Sequence, residues 1–164
     1  MSDQPTRGAS PRPGRKDLRP RRGTGISLLV LQVLVAASAL AGGAALVLGA
    51  LVPELATVLS PPTAYLEGSP FSSYLVPGLV LGLVVGGTHA VAFLLGITRS
   101  DLTLLAAAVA AIALLIWVFV QMVYIPFSFL QAIYFAVALA EAVLTMLALG
   151  LLGAITRAPG TSAT

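Results

Sequence analysis

Four long apolar runs, 26–52, 74–97, 102–124 and 132–155, constrain this chain more than any other feature. Each is at least 23 residues long, and an α-helix needs about 20 residues to cross the hydrocarbon core of a bilayer. Tyrosines aside, the runs contain two ionisable side chains, His89 and Glu141. Backbone polar groups in lipid must be bonded within the protein, which favours helices for runs of this kind. The expected fold is all-α, a bundle of four transmembrane helices spanning 26–157. Charged residues make up 9% of the chain and mean hydropathy is +1.00, against about 25% charged in a soluble domain. Most of this protein's surface should therefore face lipid.

The stretch before the first run has the opposite character. Residues 1–25 hold Pro5, Pro11, Pro13 and Pro20, four glycines and no apolar period. A disordered, basic, cytoplasmic tail is expected. Arg7, Arg12, Arg15, Lys16, Arg19, Arg21 and Arg22 are opposed only by Asp3 and Asp17, a net charge of +5. Such a cluster is a topology determinant. Its membrane-proximal part, Arg15, Lys16, Arg19, Arg21 and Arg22, is suited to contact with anionic lipid headgroups. Nucleic acid is not an expected partner, because the tail has no interleaved aromatics and no fold to present its arginines. The Ala39-Leu40-Ala41 stretch looks like a signal cleavage site. The apolar run continues to Val52, however, far beyond a signal h-region.

Basic residues also set the expected orientation. The first connection, 53–73, carries Glu54 and Glu67 and no basic residue; the second, 98–101, carries Arg99; the third, 125–131, is uncharged. With the basic tail, Arg99 and Arg157 on one side, the positive-inside rule puts both termini in the cytoplasm of a multi-pass cell-membrane protein. Eight of the eleven aromatics fall near the opposite, outer interface: Tyr65, Phe71, Tyr74, Tyr124, Phe127, Phe129, Tyr134 and Phe135. Residues 158–164 form a short polar tail.

Gly78, Gly82, Gly86 and Ala90 recur every four residues along the second span. A face without side-chain bulk lets another helix backbone approach closely, the main source of contact energy where lipid replaces water. Ala36, Ala39 and Gly43 of the first span offer a matching stripe; a second copy or another membrane protein is the alternative partner. Pro77 should kink or start its helix. In the third span, Trp117, Gln121 and Tyr124 share one face, and in the fourth so do Gln131, Tyr134, Ala138, Glu141 and Thr145. Both faces should turn inward.

Glu141 is the costliest residue in the sequence. It lies about ten residues from the outer end of the fourth run, roughly 15 Å deep, where a carboxyl group costs roughly 2.5–3.5 kcal/mol on insertion scales. It is either a proton- or cation-binding carboxylate or a protonated acid bonded to a neighbouring helix, with Thr145 on the same stripe. Gln32 and His89 are expected at similar depth and bonded to each other, with a haem-ligand or proton-relay histidine as the sharper alternative. Met122 and Met146 are the sulfur side chains available to a haem, but methionine in an apolar bundle usually packs. Counted from the outer side, Glu141 sits a turn or more above His89, so their pairing would need helix tilt or an intervening water. One histidine and no cysteine exclude a multi-histidine or thiolate metal site within one chain and any disulfide. No cofactor or metal is expected, and no nucleophile–base pair, phosphate loop or dinucleotide fingerprint is present.

Residues 59–87, reading LSPPTAYLEGSPFSSYLVPGLVLGLVVGG, together with 117–131, resemble small uncharacterised four-span integral membrane proteins of high-GC bacteria. The resemblance lies in a Pro-Pro loop, a Pro-Phe pair, a Pro-Gly helix start and a glycine series. It implies a four-span layout and no activity. Small multidrug transporters also carry a membrane glutamate, but in their first span, whereas Glu141 is in the last. The expected function is a non-enzymatic accessory or interaction subunit; the alternative is a small proton- or cation-coupled transporter using Glu141.

Overall fold

A computed structural model describes residues 22–150, with the Arg22 side chain outside the description. Helix α1, Arg22–Leu51, crosses first. It stops where Pro53 forces Val52 into an extended conformation, φ −119° and ψ 100°. Pro53 then opens the short helix α2, Pro53–Leu59, in the first-turn position that proline tolerates. Ser60, before Pro61, is again extended and ends α2. A 3₁₀ turn over Thr63–Leu66 follows. Gly68, at φ +80°, reverses the chain in a conformation that suits glycine.

Helix α3 spans Leu75–Ile97. Pro77 lies in its first turn, where no intrahelical N–H is lost, so it starts the helix rather than bending it. From Val80 to Gly86 the helix is π-wide, and α geometry resumes at Gly87. Helix α4, Thr103–Tyr124, returns through a tight turn at Arg99, which sits at φ 54°. Thr103 Oγ1 donates to the carbonyls of Leu95 at 2.8 Å and Ser100 at 2.7 Å, tying the two helix ends together.

Helix α5, Phe129–Ala148, begins three residues before the expected boundary. The reason is a capping box: Gln131 N–H donates to Ser128 Oγ, and Ser128 N–H donates to Gln131 Oε1 at 3.0 Å. At the other end Gly150 takes the left-handed conformation, φ 71°, which ends a helix. The rest of the expected run to Ile155, with residues 151–164, lies outside the described residues.

Among the described residues, four helices, α1, α3, α4 and α5, are long and apolar enough to cross a membrane. One end of the bundle holds the 53–73 and 125–128 connections; the other holds the Arg99 turn and the start of α1. The core contains Val35, Ala39, Val85, Leu114, Val118 and Ala138. Leu34, Leu83, Leu105 and Phe119 point outward and are more than 60% exposed. Water would penalise so much apolar surface; acyl chains do not. The chain is an all-α integral membrane bundle.

Helices α1 and α3 approach each other closely within one chain. A Cβ placed on Gly43 would lie 2.7 Å from both Gly78 O and Gly82 N. One on Gly78 would meet Leu46 Cβ at 2.9 Å, and one on Gly86 would meet Leu40 Cγ at 2.9 Å. The glycine series therefore packs on the first span. Ala90 does not continue it: the buried line runs from Gly86 to His89 and Ala92, while Ala90 is only half-buried.

Candidate functional site

One turn beyond the Val35–Val85–Ala138 layer, toward the Arg99 end, the core becomes polar. Gln32 lies three residues from Val35, His89 four from Val85, and Glu141 three from Ala138. Gln32, His89 and Glu141 are 1%, 0% and 1% exposed. Across the bundle, α4 presents only small side chains at this level, Ala107, Ala110 and Ala111, all buried. No other titratable side chain on α1 or α4 among the described residues lies near this depth.

His89 Nε2 and Glu141 Oε2 are 3.0 Å apart, joining α3 to α5. His89 Nδ1 lies 2.7 Å from the carbonyl oxygen of Val85. This second contact settles the tautomer. A carbonyl oxygen only accepts, so Nδ1 carries hydrogen and donates. Nε2 then meets a carboxyl oxygen, and a bond between them needs one proton. With that proton on nitrogen the pair is imidazolium and carboxylate. With it on oxygen the pair is neutral imidazole and carboxylic acid. Both forms have zero net charge, which is what a low-dielectric interior tolerates. Removing the proton would leave a nitrogen lone pair facing a buried carboxylate. Adding one would leave a buried net positive charge.

The local backbone explains why His89 is held so firmly. It sits just past the junction between π-wide and α geometry. There Thr88 Oγ1 donates to Val84 O at 2.6 Å and to Val85 O at 3.1 Å. The Val85 carbonyl thus receives side-chain donors from both Thr88 and His89, and the ring is oriented by its own helix before it meets α5. π-Wide turns recur at functional sites.

Two contacts differ from expectation. Gln32 does not bond His89, because both ring nitrogens are engaged elsewhere; Gln32 Oε1 and Glu141 Oε1 are buried without a hydrogen-bond partner among the described residues. Glu141 also does not sit a turn above His89. Measured from the Arg99 end, His89 lies eight residues from Ile97 and Glu141 seven from Ala148, a difference in depth of about 1.5 Å. The misplacement came from the fourth run, whose apolar composition continues past the left-handed Gly150. Direct pairing then needs no water.

Thr145 is buried beside the pair, but its hydroxyl donates to the Glu141 backbone carbonyl at 2.7 Å and leaves the carboxyl alone. Met122 and Met146 are 53% and 49% exposed and turn toward lipid, away from His89's buried layer. No cluster of three or more metal-ligating His, Asp, Glu or Cys side chains occurs among the described residues. Arg15, Lys16, Arg19 and Arg21 lie outside the described residues.

Val85 as the oriented acceptor did not stand out from the sequence. For Val85 the signal is the i−4 relation to a buried histidine.

No family model, curated protein or solved structure matches this chain. The likeness to four-span bacterial proteins accordingly stands as a four-span, all-α membrane layout. What fold and site define is an integral membrane four-helix bundle with a buried histidine–glutamate pair linking its second and fourth spans.

Proposed function

We propose that this is a non-enzymatic, proton-binding membrane subunit in which His89 and Glu141 hold one exchangeable proton. The carrying observation is the 3.0 Å His89–Glu141 bond at 0% and 1% exposure. Ionisable groups at such depth are costly, and they mark proton sites in pumps and transporters. With Nδ1 fixed on Val85, gain or loss of a proton is concentrated at one bond between two helices. A change in charge there would alter how α3 and α5 hold together.

The accessory reading is favoured by the size of the cavities at the two ends of the bundle, about 100 and 150 Å³. Small-molecule sites usually run to about 300–1,000 Å³, so these suit a few waters or a small headgroup rather than a solute path. The protonation change is then transmitted to a membrane partner or a second copy. The distribution of basic residues supports a topology with both termini and the Arg99 turn in the cytoplasm and with Arg15 to Arg22 near anionic headgroups. Cysteines introduced singly at Ser72 and Arg99, in a chain with none of its own, label from outside and inside respectively if this orientation holds. The reverse pattern rejects it.

The proton reading is tested by infrared difference spectroscopy of the lipid-embedded protein as a function of pH. A carboxylic C=O band that changes with pH and vanishes in Glu141→Gln supports the proposal. A band with no pH response makes the pair a fixed interhelical clamp. Purification in mild detergent tests the subunit reading; recovery of the chain alone, with no stable partner, counts against it.

A further inference from the structure

At the end opposite the Arg99 turn, a cavity of about 100 Å³ lies under the first connection, between the starts and ends of α1, α3 and α4. Five aromatic side chains line it, Tyr65, Phe71, Tyr74, Trp117 and Tyr124, with Gln121 as a polar neighbour. We propose that this cavity binds a trimethylammonium group, either on a free solute or as a lipid headgroup. The inference is independent of the proton chemistry at His89 and Glu141.

Aromatic faces carry negative quadrupole potential and attract cations, above all quaternary ammonium groups, which are apolar in shape and need no hydrogen-bond acceptors. A tryptophan, three tyrosines and a phenylalanine around a small volume match that chemistry. The charge at this end agrees. The connection that roofs the cavity carries Glu54 and Glu67, and neither it nor the 125–128 connection holds a basic residue. An anion would find no positive partner there.

The wall is also preformed. Tyr74 is buried, and its hydroxyl donates to Pro62 O at 2.9 Å, which pins the 53–73 connection over the start of α3. Burial, with Tyr65 close by, pushes the Tyr74 phenol above its ordinary pKa of 10.0, so the ring stays neutral and keeps that bond. Trp117 is half-buried and Tyr124 more open, leaving access from the membrane surface. Gln121 is placed to bond the hydroxyl or ester carried by the rest of such a ligand.

Trp117 is the only tryptophan in the chain, so its fluorescence reports on this cavity alone. The probes are choline and its neutral carbon isostere, 3,3-dimethylbutan-1-ol, titrated into the purified full-length protein in phosphatidylglycerol nanodiscs. Choline should change Trp117 emission at a concentration about tenfold lower than the isostere, the discrimination expected of two or three partly desolvated cation–π contacts. Tyr65→Leu and Tyr124→Leu should each weaken choline several-fold while leaving the thermal transition in place. Repeating the titration in phosphatidylcholine nanodiscs separates the sources. Loss of the choline response there identifies the lipid headgroup as occupant, and an unchanged response identifies a free solute. Equal responses to choline and the isostere would reduce the site to an apolar cavity and overturn the proposal. So would the absence of any response in phosphatidylglycerol, if binding calorimetry with choline is also silent.

Discussion

Gly43 and Gly82 face each other across the α1–α3 contact, yet adding one methyl group to each should have opposite consequences. An alanine Cβ at position 43 would lie 2.7 Å from Gly78 O, 2.7 Å from Gly82 N and 2.8 Å from Gly82 Cα. All three atoms are helix backbone and have no rotamer with which to move aside. Restoring ordinary contact requires α1 and α3 to separate by about 1 Å, and close helix approach is what holds such an interface together. The strain extends beyond the site, since Gly78 against Leu46 and Gly86 against Leu40 lie on the same face. Overpacking of this kind costs about 1–3 kcal/mol. The better helix propensity of alanine returns at most about 1 kcal/mol. Gly43→Ala should therefore be destabilised by about 1–2 kcal/mol. At position 82 the added Cβ would sit 3.8 Å from Gly43 Cα, an ordinary van der Waals contact. Gly82→Ala should be neutral or slightly stabilised. Reversible unfolding of both variants in mixed micelles, followed by circular dichroism, measures the two differences side by side. A Gly43→Ala protein as stable as the parent, or a Gly82→Ala protein less stable than Gly43→Ala, would refute this account of the interface.

Three other outcomes follow from particular bonds. In Glu141→Gln the side-chain amide can donate to His89 Nε2, so folding should persist, whereas Glu141→Leu strands a buried ring nitrogen at a cost of about 1–3 kcal/mol; unfolding titrations of the two decide it, and a more stable leucine variant would contradict the pairing. Removing both partners in His89→Leu/Glu141→Leu should recover most of that loss, because replacing a whole buried pair by apolar groups is often close to neutral; strict additivity in the double-mutant cycle would mean the two side chains do not interact. Tyr74→Phe should lose about 1 kcal/mol below pH 10 with the bond to Pro62. Above pH 10 the parent itself should weaken: its folded phenol ionises later than the unfolded one, so the unfolded chain binds fewer protons and stability falls as pH rises. The Tyr74→Phe protein should lack that component of the alkaline decline, which melting curves across the alkaline range would detect.

The four spans were legible because a single quantity, continuous apolar length, decides them. The α1–α3 contact was legible for a related reason: small residues at four-residue spacing have few other uses in lipid. Boundaries were less so. Apolar composition alone carried the last span to Ile155, whereas Ser128 with Gln131 and the left-handed Gly150 set the helix at Phe129–Ala148. Those signals are local hydrogen bonds and backbone geometry, and hydropathy does not register them. Ala90 fails for a different reason. The π-wide stretch from Val80 to Gly86 changes the angular step per residue, so a register set by Gly78, Gly82 and Gly86 no longer points Ala90 at the same neighbour. His89 inherits the inward position.

That shift links packing to the site. Three glycines let α1 approach α3 closely, and the wide turn they accompany ends just before Thr88 and His89. The carbonyls of Val84 and Val85 at this junction receive hydrogen bonds from Thr88 and His89, which fixes the imidazole with Nδ1–H spent and Nε2 aimed across the bundle. On the far side, the capping box starts α5 early enough, and Gly150 stops it soon enough, for Glu141 to meet that nitrogen at matching depth. The small side chains of α4 at this level leave room for both groups without supplying a competing partner. A one-residue rotation of either helix would move His89 or Glu141 by about 100° and expose an ionisable group to lipid. The pair therefore fixes the relative register of α3 and α5. For the same reason, a change in its proton count would act directly on the contact between those two spans.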